Sequence, residues 1–430
     1  MKKVITYGTY DLLHYGHINL LKRAKLLGDY LIVGVTADDF DKSRGKVNVQ
    51  QSLMERVEAI RSTGIADEII IEEYEGQKID DIKRKGIDIF TVGSDWKGKF
   101  DYLKEYCQVV YLDRTEGISS SDLRTEKRKI KLGLLGEERI VTKFNKESTF
   151  VNGLETIILS TKISLKKQLS NIDAIYLVTP PNNHYLEIKH CLEMKKHVLC
   201  EMPITLNKKQ CEELYELAKQ NNCILMNSNK TAYATAYSRM LYVAKGGKIG
   251  EIVSVDVTAT SLKNNDDVNN AFNGIWNSIC AWGPTAMLPI FHLLGTNFKS
   301  KTIISKMKNN YFDLFTKINF LYDNAVASIK VGKGVKSEGE LIVSGTKGYI
   351  FVPAPWWKTD YFEVRYEDSD ENKRYFYQLD GEGIRYELVA FLKAINLGKD
   401  IDNYVSREIS DTISQIIEDF NNKRDFVTIK

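Results

Sequence analysis

The sequence is poor in proline, has almost no excess of either charge and contains no long apolar run. Its 430 residues include seven prolines, all at Pro180 or later, so the link between its first and later parts is not a stiff Pro-rich spacer. No apolar stretch reaches bilayer-spanning length, and Met1-Lys2-Lys3-Val4 runs straight into a strand-like segment without a signal-peptide pattern. This predicts a cytoplasmic protein with no membrane insertion. Lys and Arg number 60 against 57 Asp and Glu, finely interspersed, with no basic stripe. That argues against nucleic-acid binding. The six cysteines, Cys107, Cys191, Cys200, Cys211, Cys223 and Cys280, form no C-x-x-C pair. They read as reduced, mostly buried thiols rather than a disulfide framework or zinc site. There is no low-complexity tract and no short-period repeat.

What is present is a 43% hydrophobic chain too long for one core, which predicts two or more domains. Residues 4–7, 30–35, 68–71, 87–92 and 109–112 read as strands, with helical patterns at 20–27 and 51–63 between them. Such alternation predicts a parallel sheet wrapped by helices. A charged passage at 124–129 interrupts it. The α/β pattern then restarts with strands at 130–135, 174–178 and 197–199. From about residue 249 the pattern changes to alternating strands, 251–260, 317–322, 325–331 and 361–366, predicting an open, mostly antiparallel sheet. A final helix is expected over 383–397. The fold class is α/β, with expected domains at 1–127, 128–248 and 249–430.

The most informative stretch is Gly8-Thr9-Tyr10-Asp11-Leu12-Leu13-His14-Tyr15-Gly16-His17, between the first strand and a helix expected to begin near Ile18. His14 and His17 are three apart, which at a helix start puts both imidazoles on one side. Gly16 removes the side chain that would hold a phosphate away from the backbone. Helix-end N–H groups and two imidazoles thus converge on one anion site.

These residues resemble the H-x-G-H cytidylyltransferases, in particular the glycerol-3-phosphate cytidylyltransferase family of teichoic-acid synthesis, over essentially residues 1–124. A second signature of that family appears as Arg114-Thr115-Glu116-Gly117-Ile118-Ser119-Ser120-Ser121. A third stands as Gly93-Ser94-Asp95-Trp96-Lys97-Gly98-Lys99-Phe100-Asp101, with Ser94 replacing an acid. The resemblance implies a Rossmann-like nucleotidyltransferase domain whose catalytic groups are His14, His17, Lys46 and Arg114. It implies that CTP is held by Gly8, Thr9, Tyr10, Gly16, Gly93, Asp95, Trp96 and the 114–121 loop. Lys78, and Arg44 in place of a family lysine, correspond to ligands of the acceptor phosphate.

The implied reaction is attack by an acceptor phosphomonoester oxygen on the α-phosphorus of CTP, with pyrophosphate expelled and no covalent enzyme intermediate. The two histidines would donate to phosphate oxygens, and Lys46, Arg114 and Mg²⁺ would share the remaining charge. Mg²⁺ would arrive with CTP, and no metal ligand set from the protein is expected. The acceptor is a small phosphorylated polyol, giving a CDP-polyol for a cell-surface polymer or capsule.

The later region, through Ile172-Asp173-Ala174-Ile175-Tyr176-Leu177-Val178-Thr179-Pro180-Pro181 and Lys196-His197-Val198-Leu199-Cys200-Glu201-Met202-Pro203, resembles the glucose–fructose oxidoreductase and inositol dehydrogenase family. This implies a dinucleotide-binding-type Rossmann domain followed by an α+β open-sheet domain. Its catalytic pattern is degraded. Glu138 stands where the close-approach glycine belongs, Met202 replaces the lysine of Glu-Lys-Pro, and Ala281, Gly283 and Thr285 occupy the later acid–glycine–His/Tyr pattern. A carboxylate would meet the dinucleotide pyrophosphate in both charge and bulk. NAD(P) binding is therefore not expected, and the region reads as a noncatalytic module that joins a homodimer. The alternative is a bifunctional enzyme whose second region is an NAD(P)-dependent dehydrogenase, with Tyr233, His184 and Lys230 as local candidates.

Overall fold

The computed structural model describes residues 1–37, 49, 51, 53–74, 76–113, 129–151, 153–262, 276–377, 379–398 and 404–429. They form two compact units, Met1–Lys129 and Ile130–Lys430. In the first, β1 (Lys3–Gly8), β2 (Tyr30–Thr36), β3 (Glu68–Glu72), β4 (Ile89–Gly93) and β5 (Gln108–Leu112) make a parallel sheet in the order β3-β2-β1-β4-β5. Alternate residues feed opposite faces, as strand geometry requires. Val4, Leu31 and Val33 pack with Leu21 and Ala24 on one side, whereas Ile5, Ile32 and Phe90 pack with Ile82 and Leu103 on the other. Both faces are covered, which is why these strands read as continuous apolar runs.

The helix after the glycine–histidine turn spans Tyr15–Lys25 and so begins earlier than the expected Ile18. The reason is the cap: His14 has extended backbone (φ −130°) and its side chain accepts from Gly16 N–H, so the first helical turn closes around the histidines.

In the second unit, β6 (Ile130–Gly136), β7 (Leu154–Ile158), β8 (Ala174–Val178), β9 (His197–Glu201) and β10 (Leu225–Ser228) form another parallel sheet, ordered β10-β9-β8-β6-β7. The helices Pro181–Glu193 and Lys208–Gln220 pack on it through Ile188, Cys191, Leu192, Cys211 and Leu214. Beyond it lies a ten-stranded sheet. Its strands are β11 (Ile252–Leu262), β12 (Ser300–Met307), β13 (Asp313–Leu321), β14 (Val326–Gly332), β15 (Gly334–Val335), β16 (Leu341–Gly345), β17 (Tyr349–Val352), β18 (Tyr361–Arg365), β19 (Lys373–Phe376) and β20 (Phe426–Thr428). The sheet is mixed: most pairs are antiparallel, but β11–β14 and β12–β20 are parallel. The α/β architecture with a following sheet domain agrees with the sequence reading.

The last helix is Arg407–Asn421, not the one ending at Leu397. Ser406 caps it by accepting from Ile409 N–H at 3.3 Å. Its buried stripe of Ile409, Ile413, Ile416, Ile417 and Phe420 has the spacing of one helix face. No helix among the described residues is long and apolar enough to cross a membrane.

Candidate functional site

In the first sheet the chain runs outward from β1 through β2 to β3, then crosses to β4 on the other side of β1. The carboxyl ends of β1 and β4 therefore flank a topological switch point, where open α/β sheets bind ligands. Gly8 closes β1 there. A Cβ on it would stand 2.9 Å from the ring of Tyr10, so the turn needs glycine at that position. Tyr10 and Leu12 both take left-handed backbone, φ 54° and 49°, a strain that persists only where surrounding contacts impose it.

Those contacts are visible. Arg56, fully buried on the helix Leu53–Ser62, donates through Nη1 to the carbonyls of Thr9 at 2.6 Å and Thr36 at 2.9 Å. Its Nε donates to the Gln51 carbonyl at 3.1 Å. Gln51 in turn holds the turn from outside: its N–H donates to Asp11 Oδ1 at 3.0 Å, and its Oε1 accepts from Leu12 N–H at 2.7 Å. The product is a fixed His14–His17 pair, with rings stacked 3.9 Å apart at 25° and the edge of Tyr10 against His17, centroids 5.6 Å apart. His14 Nδ1 accepts the Gly16 N–H at 3.1 Å. In the neutral ring this places the proton on Nε2.

At the neighbouring strand end, Gly93 leads into the turn Ser94–Trp96. Trp96 packs on Phe100 at 5.8 Å under Lys99, whose Nζ lies 5.0 Å from the indole centroid, and Asp95 is exposed. Lys78 is buried on the helix Gln77–Lys85, ion-paired with Glu72 and 4.7 Å above the Tyr7 ring. Glu72 also accepts from Thr36 Oγ1 at 2.8 Å. Burial, with Asp81 beside it, pushes the Tyr7 phenol far up, so it serves as a donor to Asp81 at 2.9 Å. Arg44 and Lys46, and the whole of Arg114, Thr115, Glu116, Gly117, Ile118, Ser119, Ser120 and Ser121, lie outside the described residues. No group of three or more His, Cys, Asp or Glu suited to a metal ion occurs among the described residues.

In the second unit Met202 and Thr285, two of the positions singled out in the sequence, come together around Asn229. Asn229 Nδ2 contacts Met202 Sδ at 3.5 Å and donates to Thr285 Oγ1 at 3.1 Å. His184 is fully buried, with Nδ1 2.8 Å from the Pro203 carbonyl and Nε2 2.8 Å from the Thr179 carbonyl. Both ring nitrogens are occupied by backbone, and burial lowers its pKa. Tyr233 is buried against Tyr404, with ring centroids 5.3 Å apart. Glu201 is half-buried at the end of β9, less so than Glu387, and desolvation pushes it up to about 7 although Tyr176 donates to it at 2.9 Å. Glu387, fully buried, is pushed up further by burial and by Glu201.

A cleft of about 540 Å³ opens at the carboxyl ends of β6 and β8, lined among others by Gly136, Glu137, Ser160, Lys162, Asn183 and Glu187. Gly136 has φ +134°, and a Cβ there would strike the Val178 carbonyl oxygen at 2.2 Å. Glu137 caps the helix Glu138–Ser148 without a side-chain hydrogen bond, and Glu138 follows as its first residue, both exposed. Two carboxylates thus stand at the helix end where a dinucleotide pyrophosphate would need N–H groups and neutral surroundings. The residues present do not fit that group well.

Sequence reasoning missed Arg56 and Gln51. No short pattern marks them. A lone arginine on an amphipathic helix reads as a solvated charge, and only the turn it staples reveals its role.

Comparison with known proteins agrees with this architecture. The family described as Cytidylyltransferase-like matches residues 5–126, and an oxidoreductase family with an NAD-binding Rossmann fold matches residues 139–229. Glycerol-3-phosphate cytidylyltransferase of Bacillus spizizenii is 52% identical over 126 residues, which are 29% of this chain and 97% of that protein. The Staphylococcus aureus protein of that name is 48% identical, over 29% of this chain and 95% of its own length. The second unit has the fold of a 3-ketoreductase from Actinomadura kijaniata solved with NADP (TM-score 0.59, 15% identity, 70% of this chain and 100% of that one). Levoglucosan dehydrogenase, solved with NADH and levoglucosan, is similar (TM-score 0.59, 15% identity, 69% and 98%). By the identity and coverage of its first unit, this chain belongs to the cytidylyltransferase family and is a CTP-dependent nucleotidyltransferase, with an oxidoreductase-type domain following.

Proposed function

We propose that the chain transfers CMP from CTP to a small polyol phosphate of the glycerol-phosphate type, yielding the CDP-polyol and pyrophosphate for a cell-surface polymer or capsule. The observation that carries this reading is the stapled His14–His17 pair at the switch point of the first sheet. An oxygen of the acceptor phosphomonoester forms a new bond to the α-phosphorus of CTP. The bond from that phosphorus to the α–β bridging oxygen breaks, and pyrophosphate leaves with the electron pair.

His14, through Nε2–H, and His17 donate to phosphate oxygens, where preorganised donors are worth most. The Tyr15–Lys25 helix start adds its N–H groups. Lys46 and Arg114 neutralise the triphosphate, and the hydroxyls of Ser119, Ser120 and Ser121 bind it. Gly93, Asp95, Trp96 and the 114–118 segment border the cytosine. Arg44 and Lys78 meet the acceptor phosphate, Lys78 by exchanging its Glu72 partner for it. Mg²⁺ entering with CTP would supply further charge neutralisation at the phosphates.

The domain limits we adopt are 1–127, 128–248 and 249–430, with the last two forming a noncatalytic module that supports a homodimer in the cytoplasm. Met202 offers no proton donor at the lysine position, and its neighbours Asn229 and Thr285 satisfy each other. The second reading, an NAD(P)-dependent dehydrogenase making the polyol precursor, is favoured only by the retained fold and its cleft. The decisive experiment incubates the full chain with CTP and a panel of glycerol, ribitol and erythritol phosphates and follows pyrophosphate release. Turnover with none of them would overturn the acceptor class.

A further inference from the structure

In the second unit three lysines from three separate elements converge on one carboxylate. Lys230, directly after β10, reaches Glu382 Oε2 at 2.5 Å. Lys358, at the end of the turn Trp356–Lys358, reaches Oε1 at 2.7 Å. Lys143, on the helix Glu138–Ser148, lies 3.4 Å from both oxygens. One carboxylate leaves this cluster with a surplus of two positive charges. Among the described residues, the adjacent Glu147 is occupied by Arg385 at 2.6 Å, and burial holds Glu387 toward its neutral form.

Glu382 is delivered by an unusual backbone. Gly381, Glu382 and Gly383 are all left-handed, with φ 57°, 55° and 90°. Neither glycine tolerates a side chain, since a Cβ on Gly381 would meet Glu147 Oε2 at 2.1 Å and one on Gly383 the Lys230 carbonyl at 2.6 Å. Glu382 itself bears the strain of a non-glycine residue held in the left-handed region.

Stability alone does not account for the arrangement. The side chains of Lys143, Lys230, Lys358 and Glu382 are 42%, 28%, 36% and 34% exposed. Ion pairs so open to water each contribute little, and the backbone strain offsets what they contribute. The same exposure leaves the lysines within reach of a solute. A dianion with three tetrahedral oxygens matches three ammonium groups better than a planar monoanion does.

We propose that Lys143, Lys230 and Lys358 form a binding site for a phosphomonoester, and that the Glu382 carboxylate is its built-in stand-in, displaced when the ligand binds. The loop 380–383 then swings away and its strain is relieved. The site is distinct from the stapled histidine pair, and the inference rests on second-unit residues alone, so it stands or falls independently of nucleotidyl transfer.

The test is local hydrogen–deuterium exchange on the full chain, read on peptides covering 226–233, 356–359 and 381–386. The probes are inorganic phosphate and glycerol 3-phosphate, each against sodium chloride at matched ionic strength. Wild type should show a saturable, probe-dependent change in all three segments. Glu382→Gln, which keeps the shape and drops the charge, should saturate at a probe concentration at least about tenfold lower. Lys230→Met combined with Lys358→Met should abolish the response. Equal midpoints for the two probes would assign recognition to the phosphate alone, and a lower one for glycerol 3-phosphate to the ester. No change in wild type and in Glu382→Gln, or the same change with sodium chloride, would overturn the proposal. Should Glu382→Gln fold poorly, the wild-type response and its loss in Lys358→Met decide the matter.

Discussion

Arg56 donates to the Thr9 carbonyl at 2.6 Å from a position with no solvent exposure, which makes a helix side chain the clamp on the turn that presents both histidines. Arg56→Lys keeps the charge, but an ammonium cannot bridge the Thr9, Thr36 and Gln51 carbonyls at once. Losing charged hydrogen bonds at a buried site costs roughly 3 kcal/mol, and a misplaced turn costs roughly 10²-fold in rate. Urea unfolding and steady-state kinetics check this. As a positioning residue, Arg56 should lower kcat more than it raises the KM for CTP, a split that simple destabilisation does not produce.

His17→Ala should lower nucleotidyl transfer by at least roughly 10²-fold, the scale of losing an oxyanion donor, while leaving the melting temperature within a few degrees of wild type. His14→Ala should lose activity similarly but also stability, by about 1 kcal/mol, because His14 caps the Tyr15–Lys25 helix. His14→Asn should restore the cap without the activity. Calorimetry and pyrophosphate-release assays separate the two effects, and near-normal turnover in either alanine variant contradicts the mechanism.

The second unit should lose stability as pH rises. Burial lifts Glu201 from its ordinary value near 4.5 to about 7. Between those values the folded chain keeps a proton that the unfolded chain has released. Stability therefore falls with rising pH through this window, and the loss is complete above about pH 7, at roughly 3 kcal/mol for this one group. Glu387, buried beside it and shifted the same way, adds to the trend. Glu201→Gln keeps an acceptor for Tyr176 and removes the titration. Urea midpoints at pH 5 and pH 8, followed by fluorescence of Trp276, Trp282, Trp356 and Trp357, should differ less in the variant than in wild type.

Titration calorimetry of the full chain with NAD⁺, NADH, NADP⁺ and NADPH should detect no binding in the micromolar range, because Glu137 and Glu138 set two carboxylates at the helix end beside the cleft. Glu138→Gly should strengthen whatever weak binding exists. Micromolar affinity in wild type would revive the dehydrogenase reading.

Much of this was legible in the sequence, for physical reasons that differ from residue to residue. The inner strands of the first unit announce themselves because both faces of the sheet are buried, so β1 and β2 are predominantly apolar. The glycine–histidine turn is legible because the chemistry needs those residue types at that spacing. Strand β7, Leu154–Ile158, goes unread although its edge position matches that of β5, and β10 escapes because its Asn227 and Ser228 are polar although buried. Asn227 is there to donate to Ser410 at 2.6 Å, a partner 183 positions away that no local pattern reveals. The helix Ser278–Leu294 hides behind Pro284 and Pro289, residues that ordinarily end a helix. The helix Arg407–Asn421, by contrast, carries a readable cap and stripe, and could have been found. The polar chain from Arg56 through Thr36 and Glu72 to Lys78 crosses two strand ends and becomes visible only in three dimensions.

The placement of β11 also bears on how the chain is made. Lys3 in β1 pairs with Tyr30 in β2, a near neighbour in sequence, and all five strands of the first sheet have been synthesised once Leu112 is added. Ile252–Leu262, however, lies between β14 and β16, with Ser254 opposite Val326 and Ile252 opposite Gly345. A newly made β11 therefore waits for both partners while the helix Ser278–Leu294 and three intervening strands are still being added. Long-range pairing of this kind is slow to form, and domains generally fold as units, the N-terminal first, during synthesis. The nascent chain thus passes through a stage in which its nucleotide-handling sheet is complete while β11, the strand that joins the two halves of its later sheet, has neither neighbour.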